Sequence, residues 1–146
     1  MNKTLTKVSL LAAMLLTLTG LMTAVMTYAG LPDGQRFIDA WLPVWMRAAL
    51  VIAPLGFALM YLMSKVISIV FPNMAAGKQK ILLGASMALL MESMMASVTT
   101  LQLHGWGAGF GGYWVSILIA ALPVAVAMSL AMTFFIKPRL DRVLSA

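Results

Sequence analysis

Residues 81–103, ILLGASMALLMESMMASVTTLQL, decide the fold, because they form an apolar segment interrupted by a single carboxylate, Glu92. As an α-helix this segment rises about 1.5 Å per residue, which is enough to cross roughly 30 Å of hydrocarbon. Lys78 and Lys80 precede it, as is typical of a helix that enters a membrane from its basic side. The segment therefore predicts a transmembrane helix.

Three other segments have the same character, at residues 8–28, 41–63 and 113–136. Over the chain of 146 residues, 62% are hydrophobic and only 10% are charged. A soluble domain of this size would need more charge on its surface, since about a quarter of the residues are charged in typical globular proteins. We therefore expect an all-α membrane protein in which residues 1–146 form a single membrane domain, a four-transmembrane-helix bundle.

The first segment also has some features of a cleaved signal peptide. Lys3 and Lys7 resemble a basic amino-terminal region, and Thr27, Tyr28 and Ala29 are compatible with a cleavage site. The apolar run is longer than the roughly 7–15 residues of a signal peptide, and the internal repeat described below uses it as a helix. We therefore expect this segment to be kept as a membrane span.

Basic residues are distributed unequally between the two sides of the predicted spans. Arg36 lies in a loop opposite the termini, and Arg47 lies within the second span. The other eight of the ten basic residues lie on the side of the termini: Lys3, Lys7, Lys65, Lys78, Lys80, Lys137, Arg139 and Arg142. By the positive-inside rule, this asymmetry predicts a bacterial inner-membrane protein with both termini in the cytoplasm. The net charge of +6 then follows from topology, so the expected partner is the lipid bilayer and no nucleic acid.

Tryptophan placement agrees with this orientation. Trp41, Trp45, Trp106 and Trp114 all lie at or near the span ends opposite the termini. Because tryptophan is enriched where the membrane meets water, these residues predict an aromatic belt at the outer interface.

The two halves of the chain resemble each other when one is displaced by 73 positions. Lys7 then aligns with Lys80, and Trp41 aligns with Trp114. With a gap of four residues, Pro54 also aligns with Pro123, and each proline is expected to kink its span. Each unit has two helices, so both units enter the membrane in the same direction. The sequence thus predicts two tandem parallel two-helix repeats, at about 7–72 and 80–146.

Two pairs of segments carry a family resemblance. They are LTLTGLMTAVMTYAG at 16–30 with FIDAWLPVWMRAALVIAP at 37–54, and ASMALLMESMMASVTTLQLHG at 85–105 with YWVSILIAALPVAVA at 113–127. They resemble a family of small bacterial membrane proteins of unknown function, built from a two-helix unit that often occurs in tandem. The resemblance implies an inner-membrane protein and carries no catalytic residues over. A looser likeness, in size, span number and an intramembrane Glu, is to the bacterial efflux family of paired two-helix units that exports cationic biocides. The Arg/His/Phe-Glu signature of that family is not visible here.

Glu92 is the strongest candidate for a functional residue, because a carboxylate in mid-membrane is costly and such groups usually face a bundle interior. Small residues share its helix face: Ala85, Ala88, Ala96 and Thr99. A similar stripe in the fourth span comprises Ser116, Ala120, Ala127 and Ala131. The repeat places Thr19 opposite Glu92. Two interpretations stay open: a protonated Glu hydrogen-bonded to Ser or Thr as a structural element, or a group that handles protons or cations.

Arg47 is a further candidate, because it lies inside the second span. A direct pair with Glu92 is geometrically awkward, since side chains tilt toward the amino terminus of their own helix and these two helices run in opposite directions. The alternative is an interfacial anchor that reaches Asp39 or a lipid phosphate.

The sequence gives little support for a metal site, a cofactor site or an enzyme active site. Met87, Met91 and Met95 form a stripe that would suit Cu(I), but methionine more often serves as packing material. His104 lies at an interface, where it is either an amphipathic side chain or a pH sensor. The glycine-rich run at 107–112 lacks the preceding strand of a nucleotide-binding motif. With no cysteine, catalytic triad or paired carboxylates, we expect no enzyme, no cofactor and no metal.

Two functions remain. The first is a small proton-coupled transporter of a cation or small hydrophobic solute, acting through Glu92 and, because four helices enclose little space, working as a homo-oligomer. The second is a non-transporting accessory or assembly subunit of the membrane in which Glu92 is structural.

Overall fold

The structure is a computed structural model that describes residues 3–131 and 134–135. It contains four α-helices: α1 (Lys3–Gly30), α2 (Phe37–Val70), α3 (Ala76–His104) and α4 (Phe110–Ala131). Three of these, α1, α3 and α4, are long and apolar enough to cross a membrane, and α2 supplies a fourth span if its two bent halves count as one. The prediction of a multi-pass, all-α membrane protein is therefore confirmed.

The observed helices extend the predicted segments. α2 begins four residues before the predicted 41–63 segment and continues to Val70, beyond Lys65. α4 ends at Ala131, and the predicted continuation to Ile136 falls largely outside the described residues. The basic residues Lys137, Arg139 and Arg142, on which part of the topology prediction depends, also lie outside them.

Short connections join successive helices and make them antiparallel neighbours. Gly34 has a φ of 84° in the α1–α2 connection, and Gly105 has a φ of 70° at the end of α3, where its N–H bonds to the carbonyl of Leu101. Glycine adopts positive φ without steric cost, so both turns depend on it. We call the end of the bundle with these two connections the loop end. The other end, with the start of α1 and the α2–α3 connection, is the terminal end.

The two prolines that were predicted to be equivalent differ in how strongly the helix bends at each of them. α2 bends by 44° between its halves Phe37–Ile52 and Pro54–Val70. A proline at this point removes a backbone donor and clashes with the carbonyl four residues earlier, which accounts for the bend. Pro123 also lies inside a helix, but α4 forms a single candidate span that is not divided by a bend of this size.

Packing places α1 and α3 together at the centre of the bundle. α1 and α3 contact each other, and α2 and α4 each pack against both of them. The contact between α1 and α3 is in register: Met26 touches Thr99, and Gly30 touches His104. The set of helix pairs that contact each other stays the same if α1 is exchanged with α3 and α2 with α4.

The buried residues show the same correspondence between the first and second halves of the chain. Twelve buried residues form six pairs in which the partners lie 73 positions apart: Met22 and Met95, Thr23 and Ala96, Met26 and Thr99, Thr27 and Thr100, Val44 and Ile117, Ala48 and Ala121. Among the described residues, only Gly20 and Ile67 are buried outside these pairs. All six pairs lie in the half of the bundle toward the loop end, so this half contains the packed core.

The inward face of α4 differs from its predicted stripe of small residues. Ile117 and Ala121 are buried, whereas Ser116, Ala127 and Ala131 are exposed. α4 is apolar all around, so its hydrophobic pattern does not distinguish one face from another. Ile117 fills the space beside Gly30, where an added Cβ would lie only 2.5 Å from the Ile117 Cδ1. A close helix contact thus forms through a large residue on α4 and a small one on α1.

Candidate functional site

Glu92 lies near the middle of α3, one turn from the packed core on its terminal side. The residues three and four positions further along the helix, Met95 and Ala96, are both buried in that core. The Glu92 side chain is itself half-buried, and its Oε2 atom is buried without a hydrogen-bond partner. Within the described part of the chain, its carboxyl group takes part in no hydrogen bond and no ion pair. The carboxyl group is therefore half-buried and has no hydrogen-bond partner among the described residues.

Two hydroxyl groups of α1 and α3 bind carbonyls within their own helices. Thr19 donates to the carbonyl of Leu15 at 2.7 Å, and Ser97 donates to the carbonyl of Ser93 at 2.7 Å. Thr99 is fully buried, and its hydroxyl lies 4.0 Å from the sulfur of Met26. Thr19 and Thr99, the two hydroxyl residues predicted to belong to the site, therefore do not bind Glu92. Neither of them supplies the hydrogen bond that a structural role for Glu92 would require.

Trp114 brings α4 to the level of Glu92. Its indole Nε1 donates to the carbonyl of Ser93 at 3.2 Å and to the hydroxyl of Ser97 at 3.0 Å. Ser93 directly follows Glu92, so this bond fixes α4 beside the backbone that carries the carboxyl group. From its position in the sequence, Trp114 was expected only to lie at the interface. One feature of the sequence could have indicated this contact. Ser93 and Trp114 lie 21 positions apart, and so do Gly20 and Trp41, which make the same kind of bond.

Trp41 makes the corresponding contact in the first half of the chain. Its Nε1 donates to the carbonyl of Gly20 at 3.0 Å and to the hydroxyl of Thr23 at 3.2 Å. Gly20 directly follows Thr19, which lies 73 positions before Glu92. An indole N–H therefore binds the carbonyl next to a carboxyl-bearing residue in one half of the chain and next to a hydroxyl-bearing residue in the other.

The remaining tryptophans differ from this pair. Trp45 stacks on Trp41 with ring centroids 5.4 Å apart, and its Nε1 donates to the carbonyl of Leu16 at 3.1 Å. Trp106 is 83% exposed and lies in the α3–α4 connection. Three of the four indole N–H groups thus bind the neighbouring helix, and the predicted aromatic belt stays a prediction.

Arg47 takes no part in the contacts around Glu92. Its side chain is exposed and forms no hydrogen bond or ion pair with the described residues. Asp39, one of its predicted anchors, instead pairs with Arg36 at 2.8 Å. The structure therefore brings Arg47 together with neither Glu92 nor Asp39.

Two further buried polar groups lie toward the loop end. The hydroxyl of Thr27 and both amide atoms of Gln102 are buried without a hydrogen-bond partner. Two contacts hold the His104 side chain in place. Its Nε2 lies 2.7 Å from the carbonyl oxygen of Gly30, and its ring stacks on Tyr113 with ring centroids 3.7 Å apart. These contacts give His104 a packing role between α1, α3 and α4.

The described residues contain no group of three or more His, Asp or Glu side chains that could hold a metal ion. Met22, Met26 and Met95 are buried in the hydrophobic core, where they pack against Ile117 and Ala121. These methionines therefore act as packing material.

Comparison of the chain with protein-family models, with curated proteins and with solved structures finds no match.

Proposed function

We propose that this protein is a small secondary transporter of the inner membrane, in which Glu92 exchanges a proton for a cation or a small hydrophobic solute. The observation that carries the proposal is the buried Oε2 atom of Glu92 in the middle of a span, which has no hydrogen-bond partner in the described part of the chain. A polar group without a partner in hydrocarbon costs free energy and usually marks an ion or substrate pathway. A transporter needs such a group, because its partner must change during the cycle.

The proposed architecture is a tandem duplication with a two-fold axis along the membrane normal. The six pairs of buried residues and the equivalent bonds of Trp41 and Trp114 support it. A parallel repeat of this kind places equivalent helices around a central site. Thr19 stands in the first unit where the second has Glu92, so the two halves are chemically unequal and only the second has a titratable group at this position.

The proposed orientation places both termini in the cytoplasm. Of the described residues, Lys65, Lys78 and Lys80 lie at the terminal end, whereas the loop end has two acidic residues, Asp33 and Asp39, and one basic residue, Arg36. This separation of charge agrees with the positive-inside rule. The terminal end, where the bundle is less packed, would then face the cytoplasm.

An accessory subunit is the alternative, and one observation favours it. Ala85 and Ala88, on the helix face of Glu92 toward the terminal end, are both exposed. Small exposed residues allow a second helix to approach closely, so a partner or a second copy could supply the missing hydrogen bond. In that case Glu92 would be a structural contact between chains.

Proton release on ligand binding separates these functions. In detergent, the transporter proposal expects the lipophilic cation tetraphenylphosphonium to bind and to displace a proton from the wild-type chain. Glu92→Gln keeps the shape of the side chain but removes the titration, so this release should disappear. If the wild-type chain binds no test cation and releases no proton while it co-purifies with a defined partner, the accessory function is correct.

A further inference from the structure

The terminal end contains a groove between α2 and α3 that the proposed transport function does not use. Two adjacent cavities, of about 600 Å³ and 150 Å³, share Ser64 and Gln79 as lining residues. Lys65 lines the larger cavity and Lys80 lines the smaller one. We call this surface, defined by Ser64, Lys65, Gln79 and Lys80, the basic groove.

Charge at this end is not balanced by the described part of the chain. Lys65, Lys78 and Lys80 lie near the groove, whereas the described carboxylates are at the loop end or, for Glu92, in mid-span. The described residues therefore provide no anion that could neutralise the groove. An anion beyond the described residues is the complementary partner.

Local contacts order the groove for such an anion. The Lys65 Nζ lies 5.6 Å from the centroid of the Tyr61 ring, which lines the same cavity, so the ammonium group is held at the groove. The Gln79 Nε2 donates to the carbonyl of Phe71 at 2.9 Å and ties the start of α3 to the end of α2. Ser64 has no hydrogen-bond partner among the described residues, so its hydroxyl is free to donate.

The groove also has an apolar extension. Phe57 and Met60 line the larger cavity and lie further along α2 toward the middle of the span. Both side chains are exposed, at 77% and 55%. A ligand with a phosphate at one end and an acyl chain at the other matches this sequence of basic, hydroxyl and apolar groups.

We propose that the basic groove binds an anionic phospholipid, with its phosphate between Lys65 and Lys80 and one acyl chain along Phe57 and Met60. A basic pocket between transmembrane helices is a known form of lipid headgroup site. The groove has no carboxylate among the described residues to receive the cation of a zwitterionic headgroup. It should therefore select phosphatidylglycerol over phosphatidylcholine.

Native mass spectrometry of the full chain in detergent tests this site. We expect one phosphatidylglycerol to bind more tightly than phosphatidylcholine. Lys65→Gln and Lys80→Gln should each weaken phosphatidylglycerol binding by about fivefold, the effect of one basic residue at an anionic membrane surface. Lys78→Gln is the matched control, because Lys78 carries the same charge on the same helix but lines neither cavity.

Three results would overturn the proposal. Equal affinities for the two lipids would remove the charge selection. An equal loss in Lys78→Gln would show a diffuse attraction and no defined site. Displacement of phosphatidylglycerol by millimolar inorganic phosphate would show that the groove binds free phosphate and not a lipid.

Discussion

Met26 and Thr99, which lie 73 positions apart, touch at the centre of the bundle, where the Thr99 hydroxyl is 4.0 Å from the Met26 sulfur. Both residues are fully buried. In a bundle with a two-fold axis, equivalent residues touch each other only near that axis. The contact therefore marks the axis of the proposed duplication, and it lies about two helical turns from Glu92 toward the loop end.

Removal of the indole hydrogen bond should have the same cost in both halves. We expect Trp41→Phe and Trp114→Phe each to lower the free energy of unfolding by about 1 kcal/mol, since each change removes a hydrogen bond to a neighbouring helix. Unfolding in a denaturing detergent measures the change. Trp106→Phe is the control, because Trp106 is 83% exposed and should be neutral. A large cost in only one half would argue against equivalent roles.

Gly30 should not tolerate a larger side chain. A Cβ at this position would lie 2.5 Å from the Cδ1 of Ile117, so Gly30→Ala forces α1 and α4 apart. We expect a loss of about 1–3 kcal/mol in unfolding free energy, as for other overpacked cores. The control is Gly84→Ala, where an added Cβ meets no atom within 4 Å and better helix propensity should preserve stability. Equal effects of the two changes would contradict the packing described here.

Thr27 and Thr100 should respond differently to the same substitution. The Thr100 hydroxyl donates to the carbonyl of Ala96 at 2.7 Å, whereas the Thr27 hydroxyl is buried without a partner. Valine keeps the shape of threonine, so Thr100→Val should cost about 0.5–1 kcal/mol. Thr27→Val should be neutral or stabilising, because it removes an unsatisfied polar group. The opposite order, measured by the same unfolding assay, would reject this assignment.

Cysteine labelling tests the orientation, because the chain contains no cysteine of its own. Asn73 lies exposed in the α2–α3 connection, and Gln35 lies exposed in the α1–α2 connection. We expect a membrane-impermeant thiol reagent to label Gln35→Cys in spheroplasts and Asn73→Cys only in inverted vesicles. The reverse pattern would place the termini outside and would contradict the positive-inside argument.

The sequence was sufficient to predict the helical spans, because long apolar segments separated by Gly, Pro and Lys have few alternative structures. It was not sufficient to predict how the helices face one another. α4 is apolar on every side, so the choice of Ile117 and Ala121 for its buried face depends on the shape of α1 beside it. Helix association in membranes depends on such close fits more than on hydrophobicity.

The surroundings of Glu92 were predicted only in part. Its position in mid-span follows from counting residues, but its hydrogen bonding does not. Of the expected partners, Thr19 donates to a carbonyl of its own helix, a local contact that is always within reach of a hydroxyl in a helix, and Thr99 lies against the sulfur of Met26. The role of Trp114 was missed, because an indole near a membrane interface usually indicates a lipid contact, whereas here its N–H binds the backbone of α3.

Uptake into proteoliposomes tests the central claim most directly. A pH gradient across the vesicle should drive accumulation of tetraphenylphosphonium by the wild-type chain. Thr19→Val changes the residue that aligns with Glu92 in the proposed repeat and removes no titratable group, so it should keep this coupled uptake. Glu92→Gln should fold normally and lose it. Wild-type uptake by the Glu92→Gln variant, or a wild-type chain that moves neither the cation nor protons, would contradict a proton-coupled role for Glu92.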